Sequence, residues 1–128
     1  MNYLAKIKRL SSDVEEEVVL CINDIEITCF ANVCPYTLED GEAYRVELTP
    51  QVFNDYVVSE TNEGVTSAIN RVGNGFSYIL KGRLAGNKLD AGGIVFEDEM
   101  LLSQFGYLDG KFISWNVDRI DVEFLSND

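Results

Sequence analysis

The stretch YLDGKFISWNVDRIDVEF, Tyr107–Phe124, decides the fold. Asp109-Gly110 marks a tight turn. Ile113, Trp115 and Val117 then hold one parity, and after Asp118-Arg119 the apolar residues become Ile120, Val122 and Phe124, on the other. Side chains of a strand alternate with a period of two, so the switch moves the apolar set to the opposite face. A single core accommodates that in two ways. A bulge adds a residue and restores the facing, or the strand passes from one sheet to another and bends at the corner. Both devices belong to small closed or nearly closed barrels. Trp115, in phase with Ile113 and Val117, reads as core. Asp118-Arg119 reads as the bend, with Asp121 and Glu123 facing water.

Upstream, the same alternation recurs. Tyr3, Ala5 and Ile7 form a first strand with one wetter face. Val18 to Ile22 reads as buried on both sides, and Ile25, Ile27, Cys29, Ala31 and Val33 alternate after Asn23-Asp24, whose residues tolerate positive φ. This is the clearest hairpin of the chain. Tyr44, Val46 and Leu48 suggest another strand. The segment after Thr49-Pro50 reads equally as a short helix carrying Val52, Phe53, Tyr56 and Val57, or as an extended Tyr56-Val57-Val58. Val65, Ala68, Ile69 and Val72 lie at i, i+3, i+4 and i+7, which predicts a helix over 62–72 that stops at Gly73 and Gly75, with Arg71 against its last carbonyls. Phe76, Tyr78 and Leu80 run towards Gly82, where a bend or close backbone approach is expected. Gly86-Asn87 turns the chain into a return strand over 89–96, with Ala91-Gly92-Gly93 as a bulge or tight crossing. The state of 97–106 stays open.

The sum is about seven or eight strands in one domain, 1–128: mainly β with one mid-chain helix, a small antiparallel barrel or sandwich. The order of elements resembles that of an OB-type barrel, in which a helix between the third and fourth barrel strands plugs one end. The resemblance carries no residue motif, and a fold-level likeness does not supply a function.

Composition narrows the function. With 128 residues and 46% apolar residues the chain can bury a core of its own. No apolar run approaches the roughly 20 residues of a membrane span, and the N-terminal Lys6, Lys8 and Arg9 are followed by no apolar segment of a secretory signal. Cys21, Cys29 and Cys34 form no Cys-x-x-Cys pair, so neither a disulfide framework nor a structural zinc site is expected. A reducing cytoplasm is the expected compartment. The chain has no histidine, which removes the commonest general base, the His-activated nucleophiles and every His-ligated metal site. No phosphate-cradling motif is present. Neither an enzyme nor a cofactor is expected.

The net charge is −12. Such a surface repels phosphate backbones and favours basic partners. The leading expectation is an acidic protein-interaction module, one concrete form being an inhibitor or immunity-type protein that covers a basic active site. Its candidate contacts are Glu97, Asp98, Glu99, Tyr107 and Asp109, although a charge run most simply marks a solvated turn. Glu15-Glu16-Glu17 reads in the same way. The alternative is an OB-like binder of single-stranded oligonucleotides using Lys81, Arg83 and Lys88. Lys81 and Arg83 lie on the parity opposite to Phe76 and Tyr78, which argues against a basic stripe interleaved with stacking aromatics. A small-ligand site or carboxylate-based enzyme is a third class, which pocket shape would decide.

Overall fold

The parity switch is a change of sheet. In the computed structural model, which describes residues 2–34, 36–62 and 67–126 (the side chains of Asn32 and Val33 excepted), strand β10 (Phe112–Val117) ends at Asp118 and β11 (Arg119–Phe124) begins directly after it in a different sheet. Ile113, Trp115 and Val117 are buried from one side, and Ile120, Val122 and Phe124 from the other.

Hydrogen bonds fix the corner. Asp118 N–H donates to the Gln51 carbonyl at 2.8 Å, and an Asp118 carboxylate oxygen accepts the Phe53 N–H at 2.7 Å. The Arg119 guanidinium lies 4.0 Å from the Phe30 ring centroid and 5.0 Å from that of Phe53. It also holds Asp121 through two contacts, Nε to Oδ1 at 2.5 Å and a terminal nitrogen to Oδ2 at 3.2 Å. Asp121 therefore does not face water as expected: its side chain is 15% exposed and paired.

β11 closes a five-stranded barrel with β1 (Asn2–Leu10), β2 (Glu17–Ile22), β3 (Ile25–Val33) and β4 (Ala43–Gln51), in the order β1-β2-β3-β11-β4. Strands β1 to β3 follow one another, and β4 returns beside β1, which is Greek-key order. All pairs are antiparallel except β3 with β11, so the barrel is mixed where an antiparallel one was expected. The β2–β3 turn is the predicted one, with Asn23 and Asp24 at φ 51° and 65°.

A second sheet stands between β4 and β11 in the chain. It runs β5 (Val57–Glu60), β10, β7 (Tyr78–Ala85), β8 (Lys88–Ala91) and β9 (Ile94–Glu97), with β6 (Ala68–Arg71) also paired to β7. The extended alternative for residues 56–58 is the observed one. The expected strand over 89–96 is two strands, because Gly92 and Gly93 at φ 72° and 94° make a second hairpin rather than a bulge. Gly82 is the expected close approach: a Cβ there would lie 1.9 Å from the Asp90 carbonyl oxygen.

The single α-helix among the described residues is not where periodicity placed it. Residues 68–71 of the expected helix are strand β6, in register with β7 from Ala68↔Lys81 to Arg71↔Tyr78; residues 63–66, including Val65, lie outside the described residues. Pairing with β7 overrides the apolar spacing: Ile69 packs on the core, while Val72 stays exposed. Arg71 does bind carbonyls, but those of Asn74 and Gly75 in the following turn. The helix is α1 (Glu99–Phe105), continued by a single 3-10 turn, Gly106–Leu108. No helix among the described residues is long and apolar enough to cross a membrane.

One apolar cluster runs through both sheets. Two tyrosines tie the sheets together: Tyr78 oxygen accepts the Thr28 N–H at 2.7 Å, and Tyr3 oxygen accepts the Val95 N–H at 2.7 Å. Trp115, fully buried, stacks on Tyr56 with ring planes 13° apart. Replacing Trp115 by Ala should cost about 3–5 kcal/mol in urea-induced unfolding. Gly82→Ala should cost about 1–3 kcal/mol in the same measurement, because the methyl group displaces β8.

Candidate functional site

The carboxylates predicted as a partner site converge on one turn of their own chain. The Gly86-Asn87 turn between β7 and β8 sits at the centre. Gly86 N–H donates to Asp109 Oδ1 at 2.8 Å. The Asn87 amide donates to Glu97 at 3.1 Å and Glu99 at 2.6 Å, and the Asn87 carbonyl accepts the Asp98 N–H at 2.9 Å. Asp98 caps α1 by accepting the Met100 N–H at 2.9 Å, and its other oxygen accepts the Tyr56 hydroxyl at 2.6 Å. Glu97, Asp98, Glu99 and Asp109 are thus brought together, and each bonds this turn or the helix start. Tyr107 stands apart from them in role. It is 72% exposed on the 3-10 turn, beside Phe105 and near the end of a helix whose Leu102 is also exposed.

The basic trio does not gather into a groove. Lys81 and Arg83 alternate along β7, and an Arg83 nitrogen donates to the Gly110 carbonyl at 2.5 Å. Lys88 lies across the β7–β8 turn in a cleft of about 460 Å³ with Glu47, Thr49, Val95 and Glu97. Tyr78 is buried on the opposite face of β7, and Phe76 is packed edge-on against Phe30 at 5.6 Å. Among the described residues, no aromatic platform accompanies the cations.

A second concentration of carboxylates lies at the barrel end remote from the seam between the sheets. β4 leaves the barrel and β11 re-enters it at one end. At the other lie the β1–β2 connection, residues 11–16, and the β3–β4 connection, residues 34–42. Among the described residues no helix lies in the β3–β4 connection, so the plug expected from the OB-type order is missing. What remains is a mouth of about 540 Å³ lined by Leu10, Val18, Ala31, Cys34, Leu38 and Ser11, with Glu15 and Glu16 at its side.

Backbone hydrogen bonds hold the rim in place. Ala31 N–H donates to the Glu16 carbonyl at 2.7 Å and Glu17 N–H to the Val14 carbonyl at 3.1 Å, while Ser11 Oγ accepts the Asp13 and Val14 N–H groups. On the other side, Gly41 N–H donates to the Ile7 carbonyl and Ile7 N–H to the Glu42 carbonyl, each at 2.9 Å. Asp13, Glu15, Glu16, Glu17, Glu39, Asp40 and Glu42 all fall at this end, and residues 11–16 and 36–42 contain no lysine or arginine. Arg9 approaches Glu17 at 3.9 Å. The Glu15 and Glu16 carboxylates have no hydrogen-bond or ion-pair partner among the described residues. Sequence reasoning passed over this site because the acidic run reads as an ordinary solvated turn. Only barrel closure shows that it borders an open mouth of mixed polar and apolar lining.

No group of three or more potential metal-ligating side chains occurs among the described residues. The cysteines are unpaired, and burial, with the nearby Asp121 charge, pushes the Cys29 thiol far up. Buried Cys29 is therefore a packing residue rather than a nucleophile.

Over residues 1–125 the chain matches the family described as "Uncharacterised conserved protein UCP019853", and it belongs to that family. No curated protein and no solved structure matches it.

The Tyr56–Asp98 contact has a pH signature. Desolvation first, then the hydrogen bond and charge of Asp98, raise the Tyr56 phenol from 10.0 to about 12. The unfolded chain ionises this phenol first, so its contribution to stability is complete below pH 10 and is lost as pH rises to about 12. Alkaline titration of the Tyr56 ring by NMR should show the raised value, and Asp98→Asn should lower it. Ionisation near 10 in the wild type would show that the contact does not hold.

Proposed function

We propose that this chain is a non-enzymatic acidic interaction module of the cytoplasm that covers a basic protein partner with the open end of its barrel. The observation that carries the reading is the segregation of charge. Glu15 and Glu16 border the mouth, and Asp13, Glu17, Glu39, Asp40 and Glu42 lie in or beside the two connections at the same end, whereas Glu97, Asp98, Glu99 and Asp109 are engaged by the fold itself. Half-buried apolar residues beside a polar rim suit a protein contact, and charge of a single sign steers an opposite partner onto it. An inhibitor or immunity-type role, in which the acidic end occludes a basic active site, is the concrete form that suits this geometry. Three unpaired cysteines fit a reducing compartment.

The barrel itself favours an OB-like reading, being five-stranded, closed and of Greek-key order. Oligonucleotide binding is the weaker functional reading. Lys81, Arg83 and Lys88 are spread over two strands without a stacking partner, and the net charge opposes phosphate.

The test compares three forms of the folded chain as bait in native cell extract. One is wild type. One carries Glu15→Gln, Glu16→Gln, Glu39→Gln and Asp40→Asn. The control loses the same charge elsewhere, through Glu26→Gln, Asp55→Asn, Glu60→Gln and Glu97→Gln. A basic protein should bind wild type and control alike, and the mouth variant about tenfold or more weakly, with affinity falling as salt rises. Equal binding to all three forms would overturn the reading. So would retention of no protein together with salt-sensitive binding of single-stranded oligonucleotides.

A further inference from the structure

We infer that the barrel mouth receives one long cationic side chain, a lysine or arginine that the basic partner presents. This rests on the proposed function and adds its mode of contact. The mouth combines two surfaces of different chemistry. The half-buried Leu10, Ala31 and Leu38, over the buried Val18, supply an apolar wall, and the exposed Glu15 and Glu16 carboxylates, without partners among the described residues, supply negative charge beside it.

Each simpler occupant satisfies one surface only. An apolar side chain would cover the wall but leave the two adjacent carboxylates without a counter-charge. A small inorganic cation would leave the wall wet. Lysine and arginine carry three or four methylenes behind a charged head and bury the stem while the head seeks polar surroundings. About 540 Å³ is ample for such a chain and falls in the usual range of ligand pockets. The rim is prepared for it, because the loop that bears both glutamates is pinned to β3 through Ala31 N–H and the Glu16 carbonyl. The cleft around Lys88 is different. It carries charge of both signs and so does not select a cation.

The experiment uses defined probes on the full folded chain. n-Butylammonium chloride and n-butylguanidinium chloride stand for the two side chains, guanidinium chloride for a head without a stem, and 1-butanol for a stem without a head. The probes are titrated with NMR detection of methyl groups. One or both butyl cations should bind saturably and shift Leu10, Val18, Ala31 and Leu38; which one binds better distinguishes lysine from arginine. Guanidinium chloride and butanol should bind at least about fivefold more weakly, and Glu15→Gln with Glu16→Gln should weaken the butyl cations to a similar extent. Attaching the bulky N-(1-pyrenyl)maleimide to Cys34, which lines the mouth, in a Cys21→Ser background should obstruct it, abolish probe binding and weaken the partner.

The inference is overturned if the butyl cations bind no better than the separate head and stem, or if the blocked mouth still takes them. It is also overturned if the double glutamate variant binds them as wild type does. The two claims separate cleanly. Should the Cys34-blocked protein keep its partner while the four-charge mouth variant loses it, the acidic end is the interface but no side chain enters it. Should the four-charge variant keep the partner, the proposed function itself falls.

Discussion

One continuous run of chain serves two sheets, and it can do so only by changing face between Val117 and Ile120. The rest of the structure depends on this constraint. β10 must bury Ile113, Trp115 and Val117 within the second sheet, and β11 must bury Ile120, Val122 and Phe124 within the barrel. Asp118 lies between the two strands and absorbs the change. Its N–H and carboxylate bind the segment leaving β4, so exit from the barrel and re-entry are fastened at the same point. Arg119, flanked by Phe30 and Phe53 and paired with Asp121, covers the seam. Tyr78 and Tyr3 then bolt the sheets together through backbone N–H groups that would otherwise need water.

This arrangement gives the barrel two unlike ends. The end carrying the seam is occupied by the second sheet. The other carries the connections 11–16 and 34–42 and the segment that follows β11, with no helix among their described residues. Leu10, Ala31 and Leu38 are consequently only half-covered there, and Glu15 and Glu16 stand beside them. Seven like charges at one end repel one another and weaken the compact state. A basic partner would relieve that repulsion while covering the apolar wall. The second acidic concentration, near α1, is of a different kind. There Glu97, Glu99 and Asp109 hold the Gly86-Asn87 turn, and Asp98 caps the helix. These charges build the fold, whereas those at the mouth have fewer partners to satisfy.

Where one strong local signal determines the structure, it was legible in the sequence. The corner at Asp118-Arg119, the Asn23-Asp24 hairpin and the close approach at Gly82 are such cases, since each follows from parity, positive φ or the lack of a Cβ. The helix was not. Val65, Ala68, Ile69 and Val72 have helical spacing, but β7 offers residues 68–71 a ladder, and the nonlocal pairing prevails. The true helix, Glu99–Phe105, buries Leu101 fully and leaves Leu102 exposed, so it carries little periodicity; its clearest mark is the Asp98 cap. The mouth was invisible for another reason. Leu10, Val18, Ala31 and Leu38 come from three strands and a loop. Only the closing order of the barrel shows them to be neighbours. The acidic run at Glu15–Glu17 looks the same in sequence whether it borders open solvent or an apolar opening.

The most direct measurement of the central claim is amide hydrogen exchange of the chain with and without its bound basic partner. If the barrel mouth is the interface, protection on binding should concentrate in residues 11–17 and 36–42, and the second sheet should be unchanged. Protection centred instead on α1 and Tyr107, or on β7 and β8, would contradict it.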